Sequence, residues 1–388
     1  MHIIADENIP YIKQLFENIG PVKTRPGRYL TASDLATAEI LLVRSVTPVN
    51  ARLLTGSQIC FVGTATIGYD HIDVDYLQQQ HIGFARAPGS NATAAAEYVI
   101  SALLTVAEYQ DFSLTNRCVG IIGCGQVGSR VWQKLQALGV ACLLHDPPVQ
   151  QRTARTDFVD LKTLLSTADV ITLHVPLETQ GAYPTYQLVD SQFLAQLSDR
   201  AILINTSRGA VVDEQALLTT LLKRPTITTI LDVWAQEPCI NQALLKHVNL
   251  ATPHIAGYSF DGKVRGSEML YQAICDYFAL PPTQSIETLL PPPPLTQLSF
   301  SSTVDDWTAI RLAVRACYDI RRDDARLRLM TYQKHPHEFF DNLRKNYPQR
   351  REFHCLQIQL PATQSKLATT LGALGFRVCE PKEKETSA

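Results

Sequence analysis

The sequence predicts an α/β protein with two parallel sheets and a small α+β segment at the end, and three observations carry that expectation. Short apolar runs alternate with helical patterns twice, from His2 to about Ala85 and again from Cys118 to about His254. A long alanine-rich helical stretch, Asn91–Glu108, separates the two series. Proline-rich interruptions at Leu280–Ser285 and Pro291–Pro294 then mark a linker before the last segment.

In the first series the expected strands are His2–Ala5, Ile40–Arg44, Ile59–Gly63 and Ile82–Ala85. In the second they are Val119–Ile122, Ala141–His145, Val170–His174, Ala201–Asn205, Thr228–Leu231 and Leu250–Thr252. Six strands with intervening helices make a complete doubly wound, Rossmann-like sheet. A helix is expected over Gln126–Leu138 and another over Lys263–Phe278. Beyond the linker, helices are expected over Val304–Met330, His337–Asn346 and Lys366–Leu374, with strands at Phe353–Leu360 and Phe376–Cys379. The charged tail, 381–388, is expected to fray.

Composition narrows the function classes. The 388 residues carry 35 Lys and Arg against 37 Asp and Glu, a net charge of −2, which gives no electrostatic case for nucleic acid or an anionic membrane. No apolar run approaches a membrane span. Asp6 and Glu7 stand where a secretory signal would need basic residues before an apolar run. Nine cysteines without paired spacing fit reduced thiols, hence a cytoplasmic location.

Gly123, Gly125 and Gly128 form G-x-G-x-x-G between an apolar strand and a helix. The first glycine permits a tight turn, the second lets the backbone approach a pyrophosphate, and the third lets helix and strand pack closely. The free N–H groups and positive dipole end of the helix complete a phosphate site. Asp146 closes the next strand 18 residues beyond Gly128, followed by Pro147 and Pro148. A carboxylate there accepts from both ribose hydroxyls and repels a 2′-phosphate, so NAD is favoured over NADP.

Three blocks follow in order, each polar just beyond an apolar strand: Ile204-Asn-Thr-Ser-Arg-Gly, Leu231-Asp-Val-Trp-Ala-Gln-Glu-Pro and Thr252-Pro-His-Ile-Ala-Gly-Tyr. They offer one arginine, one glutamate and one histidine at the edge where open α/β sheets bind ligands. Removing hydride from a carbinol carbon needs a base for the hydroxyl proton, and a neutral imidazole (ordinary pKa about 6.5) suits that role. A carboxylate can fix its tautomer, and a guanidinium fork matches a substrate carboxylate. Taken singly, Arg208, Glu237 and His254 could each be structural; three matched blocks make the catalytic reading the stronger. His174 reads as a local hydrogen-bonding group, His335 and His337 as a solvated pair, and Cys124 as a small residue in the turn. No metal site is expected.

These blocks, with the glycine fingerprint, resemble the D-2-hydroxyacid dehydrogenase family over roughly residues 1–280. Val43-Arg-Ser-Val-Thr, Gly63-Thr-Ala-Thr-Ile-Gly-Tyr-Asp-His-Ile-Asp, Ala87-Pro-Gly-Ser-Asn-Ala, Asp146-Pro-Pro and His254-Ile-Ala-Gly-Tyr-Ser-Phe-Asp-Gly-Lys-Val-Arg-Gly are similar to one branch acting on a phosphorylated hydroxy acid. The resemblance implies that Arg208 and Glu237 are catalytic and that His254 is the proton donor or acceptor. It implies NAD contacts at Gln126, Val127, Asp146, Val175, Thr206, Ser207, Asp232 and Gly257, and substrate contacts at Ser45, Thr66 and Tyr258. Asp70, His71 and Asp73 become a turn and a helix start rather than metal ligands. It further implies a substrate-binding domain of residues 1–92 with 256–284, an NAD-binding domain of 93–255, and a C-terminal dimerisation domain of 286–380. The sequence departs from the family at Ser90, where cysteine is usual, at Val175, where threonine is common, and at Thr206-Ser207, where Ala-Cys often stands.

A substrate with two anionic ends needs a second anion site facing Arg208. Arg44, Ser45, Thr66 and Tyr258, with Lys263 and Arg265 nearby, are its candidates, and pairing of Arg44 with an acidic neighbour is the bland alternative. Other members of the family acting on 3-phosphoglycerate, glyoxylate or hydroxypyruvate, or an NAD-binding regulator without turnover, are the competing functions. The C-terminal segment, which carries no catalytic block, is expected to join two subunits into a homodimer. The helix over Asn91–Glu108 is the alternative interface.

Overall fold

The structure, a computed structural model, describes residues 1–286 and 290–379, so the expected tail lies outside the described residues. The chain forms two compact units, Met1–Ala92 with Ser259–Pro292, and Thr93–Tyr258 with the chain from Pro293 onward. Ala256–Tyr258 therefore stay with the dinucleotide-type sheet, and the C-terminal segment packs within the same unit.

In the first unit, β1 (Ile3–Asp6), β2 (Val22–Arg25), β3 (Ile40–Val43), β4 (Phe61–Thr64) and β5 (Gly83–Arg86) form a parallel sheet in the order β2-β1-β3-β4-β5. β2 escapes the sequence pattern because this edge strand, Val-Lys-Thr-Arg, offers a single apolar residue. Alternate residues of the central strands enter opposite cores. Ile3, Ile40 and Phe61 pack with Leu270 and Ile274 on one face, and Ile4, Leu41 and Val62 with Leu35, Leu53 and Leu77 on the other. Leu270 and Ile274 belong to the helix Phe260–Tyr277, which Ser259 caps by accepting from the Gly262 N–H at 2.8 Å. Asp73 caps Val74–Gln79 in the same way, accepting from Tyr76 N at 3.0 Å.

In the second unit, β6 (Cys118–Ile122), β7 (Ala141–His145), β8 (Val170–Leu173), β9 (Ile202–Asn205), β10 (Thr228–Leu231) and β11 (Leu250–Ala251) run parallel in the order β11-β10-β9-β8-β6-β7. The order reverses between β6 and β8, so the loop after β6 opens at the switch point of the sheet. The helix Ala92–Tyr109 is buried without a break from residue 94 to residue 107. It offers no apolar face for a second subunit, against the expectation that it could supply the alternative interface. Its cover comes partly from the C-terminal segment: Ala309, Ile310, Val314, Phe353 and Leu371 share one core with Val99, Leu103, Val119 and Leu135. Ser101 Oγ donates to Tyr318 O at 3.0 Å, and Arg315 pairs with Glu108.

The C-terminal segment contains a parallel sheet of β12 (Gln297–Ser299), β13 (Gln357–Gln359) and β14 (Arg377–Cys379), in that order. The polar, three-residue β12 carries too little pattern to be read in advance. The helix expected over Val304–Met330 is two, Asp306–Cys317 and Ile320–Arg328, because the Asp319 carboxylate accepts from Arg321 N at 3.2 Å and starts a new one. The strand expected from Phe353 begins instead with a 3₁₀ turn, Phe353–Cys355. Beneath this segment lies a charged cluster, Glu97, Lys134, Arg350 and Glu352. Arg350 donates to Ala94 O at 2.7 Å and Ala256 O at 3.1 Å, lies 3.8 Å over the Tyr318 ring, and stands 3.9 Å from Glu97. Burial pushes the Glu97 carboxyl up and the Lys134 ammonium down.

Candidate active site

The glycine turn between β6 and the helix Gln126–Ala137 has the geometry that a pyrophosphate requires. Gly123 takes φ +89°, and a Cβ there would lie 2.7 Å from the His174 backbone. A Cβ on Gly128 would lie 1.9 Å from Gly123 O, so only glycine lets the helix pack this close. At Gly125 a Cβ meets nothing within 4 Å, leaving open space above the helix N-terminus. Gln126 is exposed beside it, and Val127 is half-buried on the first turn.

Asp146 stands at the end of β7. One carboxylate oxygen accepts from Cys124 N at 2.7 Å and the other from Val149 N at 2.9 Å. The aspartate thus links the glycine turn to the helix Pro147–Thr153, which it caps, and each oxygen keeps lone pairs for ribose hydroxyls. Burial raises the Cys124 thiol to about 12, so this cysteine is inert and its small size explains its place. His174, next to Val175 after β8, meets Thr172 Oγ1 at 2.9 Å and Thr206 Oγ1 at 3.2 Å. Burial lowers its pKa to about 3, so the ring stays neutral and works as a hydrogen-bonding strut.

Arg208, Glu237 and His254 follow β9, β10 and β11, three neighbouring strands. Asn205 organises the first loop: its Oδ1 accepts from Ser207 N at 3.0 Å, and its Nδ2 donates to Arg208 O at 2.9 Å. Arg208 Nη1 donates to Ser207 O at 2.8 Å. A Cβ on Gly209 would lie 1.9 Å from the Trp234 carbonyl carbon, so the arginine loop can lie against the glutamate loop only with glycine here.

Glu237 and His254 are in direct contact, with His254 Nδ1 2.7 Å from Glu237 Oε2. The other carboxylate oxygen accepts from Trp234 N at 3.0 Å. Burial disfavours the Glu237 anion, but the charge and hydrogen bond of His254 and the charge of Arg344 outweigh it and hold the carboxyl below its ordinary range. His254 has φ +56°, a left-handed conformation that costs about 1–2 kcal/mol for a residue with a side chain. Asp232 holds the loop in it. Its carbonyl accepts from His254 N at 2.7 Å, and its carboxylate accepts from Ile255 N at 2.7 Å, Ala256 N at 2.9 Å and Thr252 Oγ1 at 2.6 Å. Trp234 Nε1 donates to Thr252 O at 3.1 Å, and Tyr98 lies 2.7 Å from Thr252 Oγ1.

Residues 90–256 match the D-isomer specific 2-hydroxyacid dehydrogenase NAD-binding domain, and residues 289–375 match a domain of unknown function. The erythronate-4-phosphate dehydrogenase of Azotobacter vinelandii is 46% identical over 97% of this chain and 99% of its own. That of Marinobacter nauticus is 47% identical over 97% of this chain and 100% of its own. The chain belongs to the erythronate-4-phosphate dehydrogenases.

Among solved structures, the NAD-bound 3-phosphoglycerate dehydrogenase of Entamoeba histolytica aligns with a TM-score of 0.62 at 23% identity, covering 72% of this chain and 95% of that one. This likeness carries the fold. As an erythronate-4-phosphate dehydrogenase the chain is an NAD-dependent oxidoreductase, and the open cradle at Gly125 fits that cofactor. Every NAD contact that the resemblance implies, from Gln126 and Val127 through Asp146, Val175, Thr206, Ser207 and Asp232 to Gly257, lies in the second unit at or just beyond the carboxyl end of a strand. Of the substrate contacts, Tyr258 belongs to the second unit, whereas Arg44, Ser45 and Thr66 belong to the first, after β3 and β4. Arg44 Nε lies 3.2 Å from Asp6 Oδ1, and Asp6 is buried at the end of β1, so the bland reading of this arginine describes one real contact. Thr66 Oγ1 donates to Gly68 O at 2.8 Å, and Ser45 is exposed in the turn after β3.

Two site features escape sequence reading. Asp232 was legible only as a cofactor contact, yet its buried carboxylate shapes the histidine loop; the acid before Val-Trp was the available signal. Arg344, near Glu237 and Tyr258, lies in the helix expected over His337–Asn346, where nothing in the pattern singles it out.

Proposed function

We propose that this dehydrogenase oxidises 4-phospho-D-erythronate at C2 to 2-oxo-3-hydroxy-4-phosphobutanoate, with NAD, in the synthesis of pyridoxal 5′-phosphate. The 2.7 Å contact between His254 Nδ1 and Glu237 Oε2 carries the catalytic part of this reading. With the carboxylate accepting from Nδ1–H, Nε2 keeps its lone pair for the C2 hydroxyl proton. Held at the glycine turn and Asp146, NAD would supply the hydride acceptor for C2. Proton transfer makes an imidazolium, and Glu237 stabilises it. Arg208 grips the substrate carboxylate with its fork and polarises the neighbouring C2 oxygen. Asp146 excludes a 2′-phosphate and so enforces NAD.

The substrate phosphate is assigned to the hydroxyls of Ser45 and Thr66 and the charge of Arg44. Ser45→Ala is the cleaner test, because Arg44→Ala would strand the buried Asp6 carboxylate. A hydrogen bond to a charged group contributes about 1.5–3 kcal/mol, so KM for 4-phosphoerythronate should rise roughly tenfold or more while KM for erythronate stays unchanged. Equal penalties on both acids would remove Ser45 from phosphate recognition. Efficient wild-type turnover of glyoxylate or hydroxypyruvate in the same panel would favour a neighbouring substrate class.

The protein is further proposed to be a cytoplasmic homodimer joined through its C-terminal segment. The nine cysteines carry no paired spacing, which suits a reducing compartment. Leu312, Leu329 and Tyr332 of that segment are 47%, 51% and 84% exposed, apolar surface suited to a second copy. Light scattering should give twice the 43.1 kDa chain mass, and charged substitutions at Leu329 and Tyr332 should halve it. A dimer that survives them places the interface elsewhere. No helix among the described residues is long and apolar enough to cross a membrane.

A further inference from the structure

The C-terminal segment reaches the catalytic pair. Its helix Pro336–Lys345 is anchored by Phe340, fully buried, with Phe339 and Leu343 in the core that holds Trp234, Ile240 and Val248. Trp234 and Ile240 flank Glu237 in sequence, so this anchoring fixes the helix against the glutamate loop. Near the end of the helix, Arg344 turns inward with 14% of its side chain exposed. Its Nη1 lies 4.0 Å from Glu237 Oε2, the same oxygen that meets His254, and its guanidinium carbon lies 5.7 Å from the centre of the Tyr258 ring. Its buried Nε meets no acceptor among the described residues. A solvated helix face would satisfy that group with water, so the placement needs another reason.

We propose that Arg344 is a positioning residue for the Glu237–His254 pair, its charge keeping Glu237 ionised while the imidazole is neutral. This rests on the catalytic reading of His254 given above. The charges around the pair show why a cation is needed there. Glu214, on the helix Glu214–Lys223, is a second carboxylate facing Glu237, and its Oε1 accepts from Ala235 N at 2.8 Å. Asp232 faces His254 from the end of β10, and Asp341 lies near Arg344 on its own helix. Oxidation requires His254 to begin uncharged. At that moment Arg344 is the cation among these groups, set against Glu237, Glu214 and Asp232. Once the proton arrives, the imidazolium takes over part of that balance. Burial lowers the guanidinium's preference for charge, but Tyr258 and Glu237 restore it, so Arg344 stays protonated.

The test is the pH dependence of NADH formation in a single turnover on 4-phosphoerythronate, which isolates the chemical step from product release. In Arg344→Met, Glu237 accepts a proton at higher pH and the imidazolium loses a repelling neighbour. Both changes remove the active form from the acidic side, so the acidic limb should move up by about one pH unit. Glu237→Gln should move it the other way, because the imidazolium then loses its anion. Arg344→Lys should leave the limb in the wild-type position, and Arg344→Gln, also neutral, should repeat the methionine result should that variant fold poorly. NAD affinity should be unchanged in all of them. An unmoved limb in a neutral variant, or equal displacement in Arg344→Lys and Arg344→Met, overturns the proposal. His254→Ala run alongside separates the two layers. Full activity there sinks the catalytic reading, whereas a dead His254→Ala with an unmoved Arg344→Met profile sinks only the role of Arg344.

Discussion

His254→Ala should lose about 10²–10⁴-fold of turnover while binding NAD almost as the wild type does, since general acid–base catalysis contributes on that scale. The glycine turn and Asp146 follow β6 and β7, whereas His254 follows β11, so loss of the imidazole leaves the pyrophosphate and ribose contacts in place. The lost group is the one that takes the hydroxyl proton, so the penalty should fall on kcat rather than on KM for NAD. The backbone introduces a second consideration. Residue 254 sits at φ +56°, which alanine tolerates no better than histidine, so the loop should keep its shape through Asp232. Titration of NAD by fluorescence with a parallel melting curve checks both points. A loss below tenfold with the fold intact would show that another group moves the proton.

Arg350→Met should produce the largest loss of stability. The arginine is fully enclosed, gives hydrogen bonds to Ala94 O and Ala256 O, covers the Tyr318 ring, and faces Glu97. Methionine fills much of the volume but strands two carbonyls and removes a cation from a cluster holding two carboxylates, Glu97 and Glu352. Breaking a buried charged network costs about 3–5 kcal/mol, which for a unit of this size lowers the melting temperature by about 10 °C. Ala256 lies two residues beyond His254, so turnover should fall below the melting point as well. A denaturation midpoint within about 1 kcal/mol of the wild type would mean that the cluster contributes little and that apolar packing alone joins the C-terminal segment to the sheet.

The parts of this molecule that could be read beforehand are those where one local rule suffices. The strands of the second sheet are mostly apolar because helices cover both faces, and the glycine turn is visible because Gly123 and Gly128 each exclude a Cβ while Gly125 leaves open space above the helix. Arg208, Glu237 and His254 each follow a readable strand, so their convergence needs only the sheet order. Contacts made over long sequence distances left no such trace. β2 and β12 are short edge strands with one apolar residue each, and the break at Asp319 depends on a side chain preferring the backbone of Arg321 to the helix it interrupts. Arg344 is one arginine among several in its region, and its approach to Glu237 follows from how Phe340 docks, which no pattern within the helix reveals.

The burial of Ala92–Tyr109 beneath the C-terminal segment also sets an order on synthesis. The first unit holds all its sheet strands by residue 86 but needs the helix Phe260–Tyr277 to cover them, so it can close once the chain has passed about residue 292. The second unit cannot. Its long helix shares a core with Leu371, and Lys134 donates to Leu374 O, both near the last described residues. Until that stretch is made, a nearly complete dinucleotide sheet stands with an apolar flank open to solvent. A nick or a slow codon run within this segment would therefore expose the flank in an otherwise built enzyme, which makes residues 293–379 the stretch where chaperones have most to protect.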